Sequence, residues 1–191
     1  MARVHVDIEL RWGDQDAYGH INNVAFARYL EETRVRVFWL GSARERTGME
    51  RHFRGDEPSG PKMLVASQNI EFLRVLEYSD TPVVVEMWIG KLGGSSLEVH
   101  YELVDETDGE RTVVARAVTT VVIVDGLTLR PLRLSEEGRA VVQAFSNQVA
   151  TTFEDSLRRQ ESIVTELNQA VGRKWDDLLT AYVASTGAGV A

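Results

Sequence analysis

Between residues 62 and 125, four runs rich in β-branched and aromatic residues (roughly 62–75, 82–91, 95–105 and 111–125) succeed one another with no room for a helix between them. Tyr78-Ser79-Asp80, Gly93-Gly94 and Asp108-Gly109 mark the gaps as turns. Parallel neighbours need a crossover of about a dozen residues or more, so connections this short require antiparallel pairing. Leu97, Val99, Tyr101 and Leu103 alternate with Glu98, His100 and Glu102, as in a half-buried strand. VVVEMWI and TTVVIV are more continuously apolar and are expected to lie deeper.

The meander has a different kind of segment ahead of it. Residues 3–11 alternate, with Val4, Val6, Ile8 and Leu10 on one face and His5, Asp7, Glu9 and Arg11 on the other, which predicts a further strand. From Asn22 the spacing becomes helical: Phe26, Leu30, Thr33 and Val37 recur at steps of three and four, Arg28, Glu31, Glu32, Arg34 and Arg36 mark more polar positions, and Gly41 can end the run. The order strand, long helix, strand meander specifies an α+β fold rather than a doubly wound parallel sheet.

Residues 42–61, broken by Gly48, Gly55, Pro58, Gly60 and Pro61, read as a long surface connection with one short helix, a candidate lid or partner contact. After Pro131, Ser135 is placed to cap another helix. Beyond it, Phe153, Leu157, Val164, Leu167, Val171, Leu178 and Tyr182 repeat at helical steps, with a break expected at Gly172 and a disordered STGAGVA end. The expected organisation is a domain over 1–146 and an amphipathic helical extension over 147–191 that serves packing or oligomerisation.

Charge and composition remove several function classes. With a net charge of -8 and no basic cluster among 29 acids, the chain does not suit a phosphate backbone, and no nucleic-acid partner is expected. No apolar run is long enough to span a bilayer, so neither membrane insertion nor a location outside the cytoplasm is expected. The absence of cysteine excludes disulfides, a thiolate nucleophile and thiolate metal sites. The patterns G-x-S-x-G, G-x-x-x-x-G-K, the dinucleotide glycine fingerprint and H-E-x-x-H are missing. Only His20 of the four histidines stands beside carboxylates, Asp14 and Asp16, and neither a metal nor an organic cofactor is expected.

That leaves RWGDQDAYGHINNVAF, residues 11–26. One reading is a polar turn capped by Asn22, with Gly19 supplying a permissive backbone and His20 a structural contact. The other is a reaction centre. Helix amides just after an Asn22 cap, including that of Asn23, lack internal partners and favour negative charge. Asp16, a few residues earlier, could face a carbonyl polarised there, as nucleophile or as general base for water. A carboxylate is a weak base, and a thioester, with its good leaving group, is the sensible target.

As a whole, RWGDQDAYGHINNVAFARYLEETR resembles the signature of the 4-hydroxybenzoyl-CoA thioesterase-like branch of the hotdog superfamily. The match runs through Trp12, Asp14, Asp16, Gly19, His20, Ile21, Asn22, Asn23, Phe26 and Glu31 or Glu32, and KLGGSSLEVHYEL is similar to a later strand of that family. The resemblance covers about residues 3–146. It implies a long helix wrapped by a curved antiparallel sheet of about five strands, a homodimer or homotetramer with sites between subunits, and hydrolysis of acyl-CoA thioesters without a cofactor. Asp16 then corresponds to the catalytic carboxylate, the Asn23 amide to the carbonyl-polarising donor and His20 to a catalytic or orienting group. Gly19, Ser95, Ser96 and Glu31 correspond to substrate-binding positions, the two serines where the coenzyme A arm often passes. A hydratase of the same fold, a non-catalytic acyl-thioester-binding regulator and an acyl-carrier-protein thioesterase are the competing readings. Acyl length depends on what closes the tunnel, with Trp39, Met49, Phe53, Met63 and the extension as candidates.

Overall fold

The computed structural model describes residues 3–44, 47–53 and 60–146. The expected extension over 147–191 and parts of the 42–61 connection lie outside the described residues. Strand β1 (Val4–Ile8) leads through a 3-10 turn (Trp12–Asp14) to helix α1 (Asn23–Val35), and a short helix α2 (Glu50–Phe53) follows. The meander is β2 (Lys62–Phe72), β3 (Val83–Leu92), β4 (Ser96–Asp105) and β5 (Thr112–Val124). Residues 136–146 form helix α3, capped as expected by Ser135, whose Oγ accepts the Gly138 N–H at 3.0 Å.

All strands pair antiparallel in one sheet of order β1-β3-β4-β5-β2, so β1 and β2 are its edges. Register shifts at Val65/Ser67, Ile89/Leu92 and Leu103/Val104 act as bulges, which bend and twist their strands. Helix α1 lies nearest β1 and β3. It buries Phe26, Leu30 and Thr33, the positions its spacing singled out, and Val37 follows in the next turn. They join Val6, Val85, Met87, Val99, Leu103 and Ile123 in one core. This is the α+β architecture expected, a helix on a five-stranded antiparallel sheet.

Three details differ from the spacing. The helical run reaches Gly41, at φ 60°, as the spacing predicts, but its last turn (Arg36–Leu40) is π-helical instead of α-helical. Arg34, at a polar position by sequence, is only 8% exposed. The second strand ends at Phe72 instead of reaching residue 75, because the Leu73 and Arg74 amides both turn onto the Val114 carbonyl, at 2.8 and 3.1 Å, and break the ladder. No helix among the described residues is long and apolar enough to cross a membrane.

Two carboxylates, Glu86 and Glu102, stand opposite each other on β3 and β4 and are 6% and 8% exposed. Arg3 and Arg111 bridge both, Arg116 holds Glu102 at 3.0 Å, and the Arg3 guanidinium also lies over the Trp88 ring at 4.3 Å. Burial pushes the Glu102 carboxyl up, but the three guanidinium groups outweigh it and hold its pKa down at about 2; Glu86 is lowered in the same way by Arg111 and Arg3. A depressed folded pKa adds stability that is fully present above the unfolded value and is lost as pH falls through the folded one. Thermal unfolding of Glu102→Gln against wild type should therefore show a Tm difference that is constant above about pH 5 and shrinks between about pH 4.5 and 2. A difference independent of pH across that window would mean that the cluster contributes nothing through charge.

Candidate active site

The segment 14–23 closes on itself. The Asp16 carbonyl accepts the Gly19 N–H at 3.1 Å, with Gly19 at φ 82°, a conformation that favours glycine. The Asp16 N–H donates to the His20 carbonyl at 2.8 Å. Oδ1 of the Asp16 carboxylate then accepts the Tyr18 N–H at 2.8 Å and the His20 N–H at 3.2 Å. Two main-chain donors on one oxygen fix the plane of the carboxylate, and Oδ2 has no partner among the described residues.

The loop is pinned on two sides. The Ile21 N–H donates to the Leu76 carbonyl at 2.8 Å, and the Asn22 N–H to the Asp14 carbonyl at 2.8 Å. Asp14, 7% exposed, accepts the Tyr29 hydroxyl at 2.9 Å and faces Arg28 at 3.5 Å. Burial and then the Asp14 carboxylate push the Tyr29 hydroxyl well above the ordinary tyrosine range, so it remains a donor and ties α1 to the loop.

Asn22 caps the helix as the sequence suggests: its Oδ1 accepts the Val24 N–H at 2.9 Å, and its carbonyl takes the Ala25 N–H at 2.8 Å. The Asn23 N–H, the first of the helix, is left without a partner among the described residues. A cavity of about 480 Å³ opens beside it, lined by Asp16, His20, Asn23, Phe26 and the 72–76 segment. The residues that carry the fixed carboxylate, the free helical amide and the histidine thus line one space with Phe26 and Phe72, whose rings meet edge to face at 5.2 Å. The arrangement can polarise a carbonyl and present a base to its carbon.

Of the residues singled out by sequence, Asp16, His20 and Asn23 come together at this cavity, and Gly19 shapes the turn beneath it. The others stand elsewhere in the single chain. Ser95 and Ser96 form the β3–β4 turn, where their carbonyls accept the Ile123 and Gly93 amides. Glu31 is exposed on α1 and borders a second cavity beside Arg34, Trp39 and Met63. Met49 and Phe53 are 0% and 2% exposed and belong to the core. The 72–76 wall had no motif to betray it, because it becomes a wall only through the Ile21–Leu76 contact. Among the described residues no group of three His, Asp or Glu gathers as a metal-ligand set.

Comparison with known proteins agrees with this fold. The uncharacterized protein YsmA of Bacillus subtilis (strain 168) is 31% identical over 104 residues, 54% of this chain and 61% of that protein, so the chain spans about three-fifths of the curated relative it matches. A thioesterase from Thermus thermophilus, solved in complex with coenzyme A and Zn, is 26% identical with a TM-score of 0.57, over 75% of this chain and 95% of that one. The 4-hydroxybenzoyl-CoA thioesterase of Pseudomonas sp. strain CBS-3 shares the fold, with a TM-score of 0.57 at 20% identity, over 74% of this chain and 99% of that one. The family model of the thioesterase-like superfamily matches residues 10–153, which take in the loop, α1 and strands β2 to β5 but not β1. The chain therefore belongs to the thioesterase-like superfamily, and its helix on a five-stranded antiparallel sheet is the hotdog fold of that family.

Proposed function

We propose that the protein hydrolyses acyl-CoA thioesters to a carboxylic acid and free coenzyme A, with Asp16 as base or nucleophile and the Asn23 amide as oxyanion donor. The observation that carries this reading is the shared cavity, lined by Asp16 with its oriented carboxylate, by Asn23 with its unpartnered N–H and by Phe26 and Phe72. In the general-base route, Asp16 takes a proton from water while the water oxygen attacks the thioester carbon. The oxyanion is held by the Asn23 N–H at the positive end of α1. Collapse breaks the C–S bond, expels the thiolate of coenzyme A and leaves the acid. In the nucleophilic route, an Asp16 oxygen forms a mixed anhydride first, and water then cleaves it.

Coenzyme A is favoured over a carrier protein by its presence in the complex of the Thermus thermophilus thioesterase. The negative charge of this chain also gives no attraction for an acidic carrier. Ser95 and Ser96 are assigned to the coenzyme A arm and Glu31 to the acyl side. Release of free thiol from short, long and aromatic acyl-CoAs tests the reaction directly. Saturable release is expected, and no release from any member of the panel, with tight binding instead, would replace the enzyme by an acyl-thioester-binding protein.

The minimal active unit in this reading is a homodimer. Strand β2 is an edge of 11 residues, and Leu64, Val65 and Phe72 on it are 44%, 50% and 49% exposed, with Leu73 and Val75 beyond at 45% and 58%. Such an apolar edge invites pairing with a second chain, and its 72–75 end borders the Asp16 cavity, which a second copy would then close. Val65→Lys, a natural edge-blocking device, should convert a particle of twice the chain mass to a monomer in sedimentation and abolish most thiol release. A wild type that already sediments as an active monomer would remove the dimer from the reading.

A further inference from the structure

The second cavity, of about 190 Å³, lies at the other end of α1. Its walls include the apolar Phe38, Trp39, Met63, Leu64 and Val121, and Arg34 lines it with them. Arg34 is 8% exposed. A guanidinium carries five N–H donors, and among the described residues one is used: Nη1 donates to the Tyr101 hydroxyl at 3.2 Å. Tyr101 is itself buried, and burial pushes its hydroxyl up, so the partner is neutral. Glu31 borders the same cavity, yet no carboxylate forms an ion pair with Arg34 among the described residues.

A charge withdrawn from water into an apolar site is costly unless it is paired. Elsewhere in this chain the rule is obeyed: the buried Glu86 and Glu102 are matched by three arginines. Arg34 departs from it, and its remaining nitrogens are not sealed off, since Glu50 Oε2 is the one fully buried unpartnered side-chain atom among the described residues. Arg34 thus lines the cavity with donors to spare.

Both cavities are lined by residues of α1 and β2. Phe26 and Phe72 line the first, Arg34, Met63 and Leu64 the second, so both lie where α1 faces the β2 edge. From Asn23 to Arg34 the helix advances about 16 Å. A group whose carbonyl sits at the Asn23 amide and which extends along α1 reaches the guanidinium with its far end.

We propose that Arg34 receives a carboxylate at the far end of the acyl group, making ω-carboxyacyl thioesters, the mono-thioesters of α,ω-dicarboxylic acids, the substrate class of this site. The proposal rests on the thioesterase reading for its carbonyl end and on Arg34 for its far end. A planar carboxylate matches the guanidinium fork with two parallel hydrogen bonds and supplies the missing countercharge. Chain length follows from the cavity spacing: short diacyl thioesters cannot reach, and long ones can.

The test compares saturated ω-carboxyacyl-CoAs of increasing length with ω-methyl acyl-CoAs of equal length. Wild type is expected to favour the carboxyl series in kcat/KM by about 10- to 100-fold once the chain is long enough. Arg34→Met should abolish that ratio. Because that variant also loses the Tyr101 contact, Met63→Glu provides a second arm: it keeps Arg34 but supplies an internal carboxylate, and should both abolish the ratio and raise Tm. Calorimetric titration with a free long α,ω-dicarboxylic acid, against its monocarboxylic analogue, reads the Arg34 site without catalysis. Equal rates for the two series in wild type, or a preference that survives both substitutions, overturns the proposal, as does free diacid binding unaccompanied by any preference in turnover. If no thioester is cleaved at all, the thioesterase reading fails, and the titration alone decides Arg34: binding lost in Arg34→Met upholds the carboxylate site, and no binding overturns it.

Discussion

Asn23→Pro should lower kcat for thioester hydrolysis by about 10²- to 10³-fold while Asn23→Ala leaves most of it. Proline deletes one atom that matters, the amide hydrogen at the first position of α1, and at that position the helix tolerates it well because its fixed φ already suits the first turn. The residue before it is also compatible: Asn22 sits at φ -62° and ψ 139°, the extended region that a following proline demands. Alanine removes the Asn23 side chain and keeps the amide, so the pair separates donor from side chain. The cap bond from Val24 to Asn22 is untouched in both variants, and circular dichroism with an unchanged Tm would show that α1 persists. Equal rates for the two variants would move the oxyanion donor away from Asn23.

The second large effect belongs to Asp16. Asp16→Asn keeps the size of the side chain and an oxygen that can still accept the Tyr18 and His20 amides, so the loop is expected to hold its shape. What it loses is the ability to take a proton or to attack carbon. For general-base work the expected loss in kcat is about 10²- to 10⁴-fold, with KM nearly unchanged. Isotope labelling tests the nucleophilic route: in H₂¹⁸O under single-turnover conditions, label found in Asp16 of the wild type indicates an anhydride opened at the Asp16 carbon, whereas label only in the product acid fits direct attack by water or an anhydride opened at the acyl carbon. Activity unaltered in Asp16→Asn would remove the residue from the chemistry.

The parts of this fold that could be read from sequence are those whose cause is local. Gly41 stops its helix, Ser135 starts another, and the turns at Gly93-Gly94 and Asp108-Gly109 sit between the strands they were expected to join. The loop was legible for the same reason: Asp16, Gly19, His20, Asn22 and Asn23 act on one another within a few residues. What could not be read depends on distant partners. Nothing near residue 72 announces that the Val114 carbonyl will draw two successive amides and end the strand, or that Leu76 will meet Ile21 and form a cavity wall. Arg34 looked like a solvent-facing residue because helical spacing sorts by type, and a buried cation is intelligible only once the cavity beside it is seen.

The placement of β1 at the sheet edge also governs how the chain reaches this state. Its one strand partner among the described residues is β3, and Arg3 finds Glu86 across 83 residues of sequence. Contacts so far apart carry a loop-closure cost before they give anything back, whereas the β3–β4 and β4–β5 hairpins form from neighbours. During synthesis the first strand must wait, unpaired, until the third has emerged. The loop that carries Asp16 hangs between that late strand and α1, so the corner that holds Asp16 is set by one of the last closures of the domain, not by one of its first.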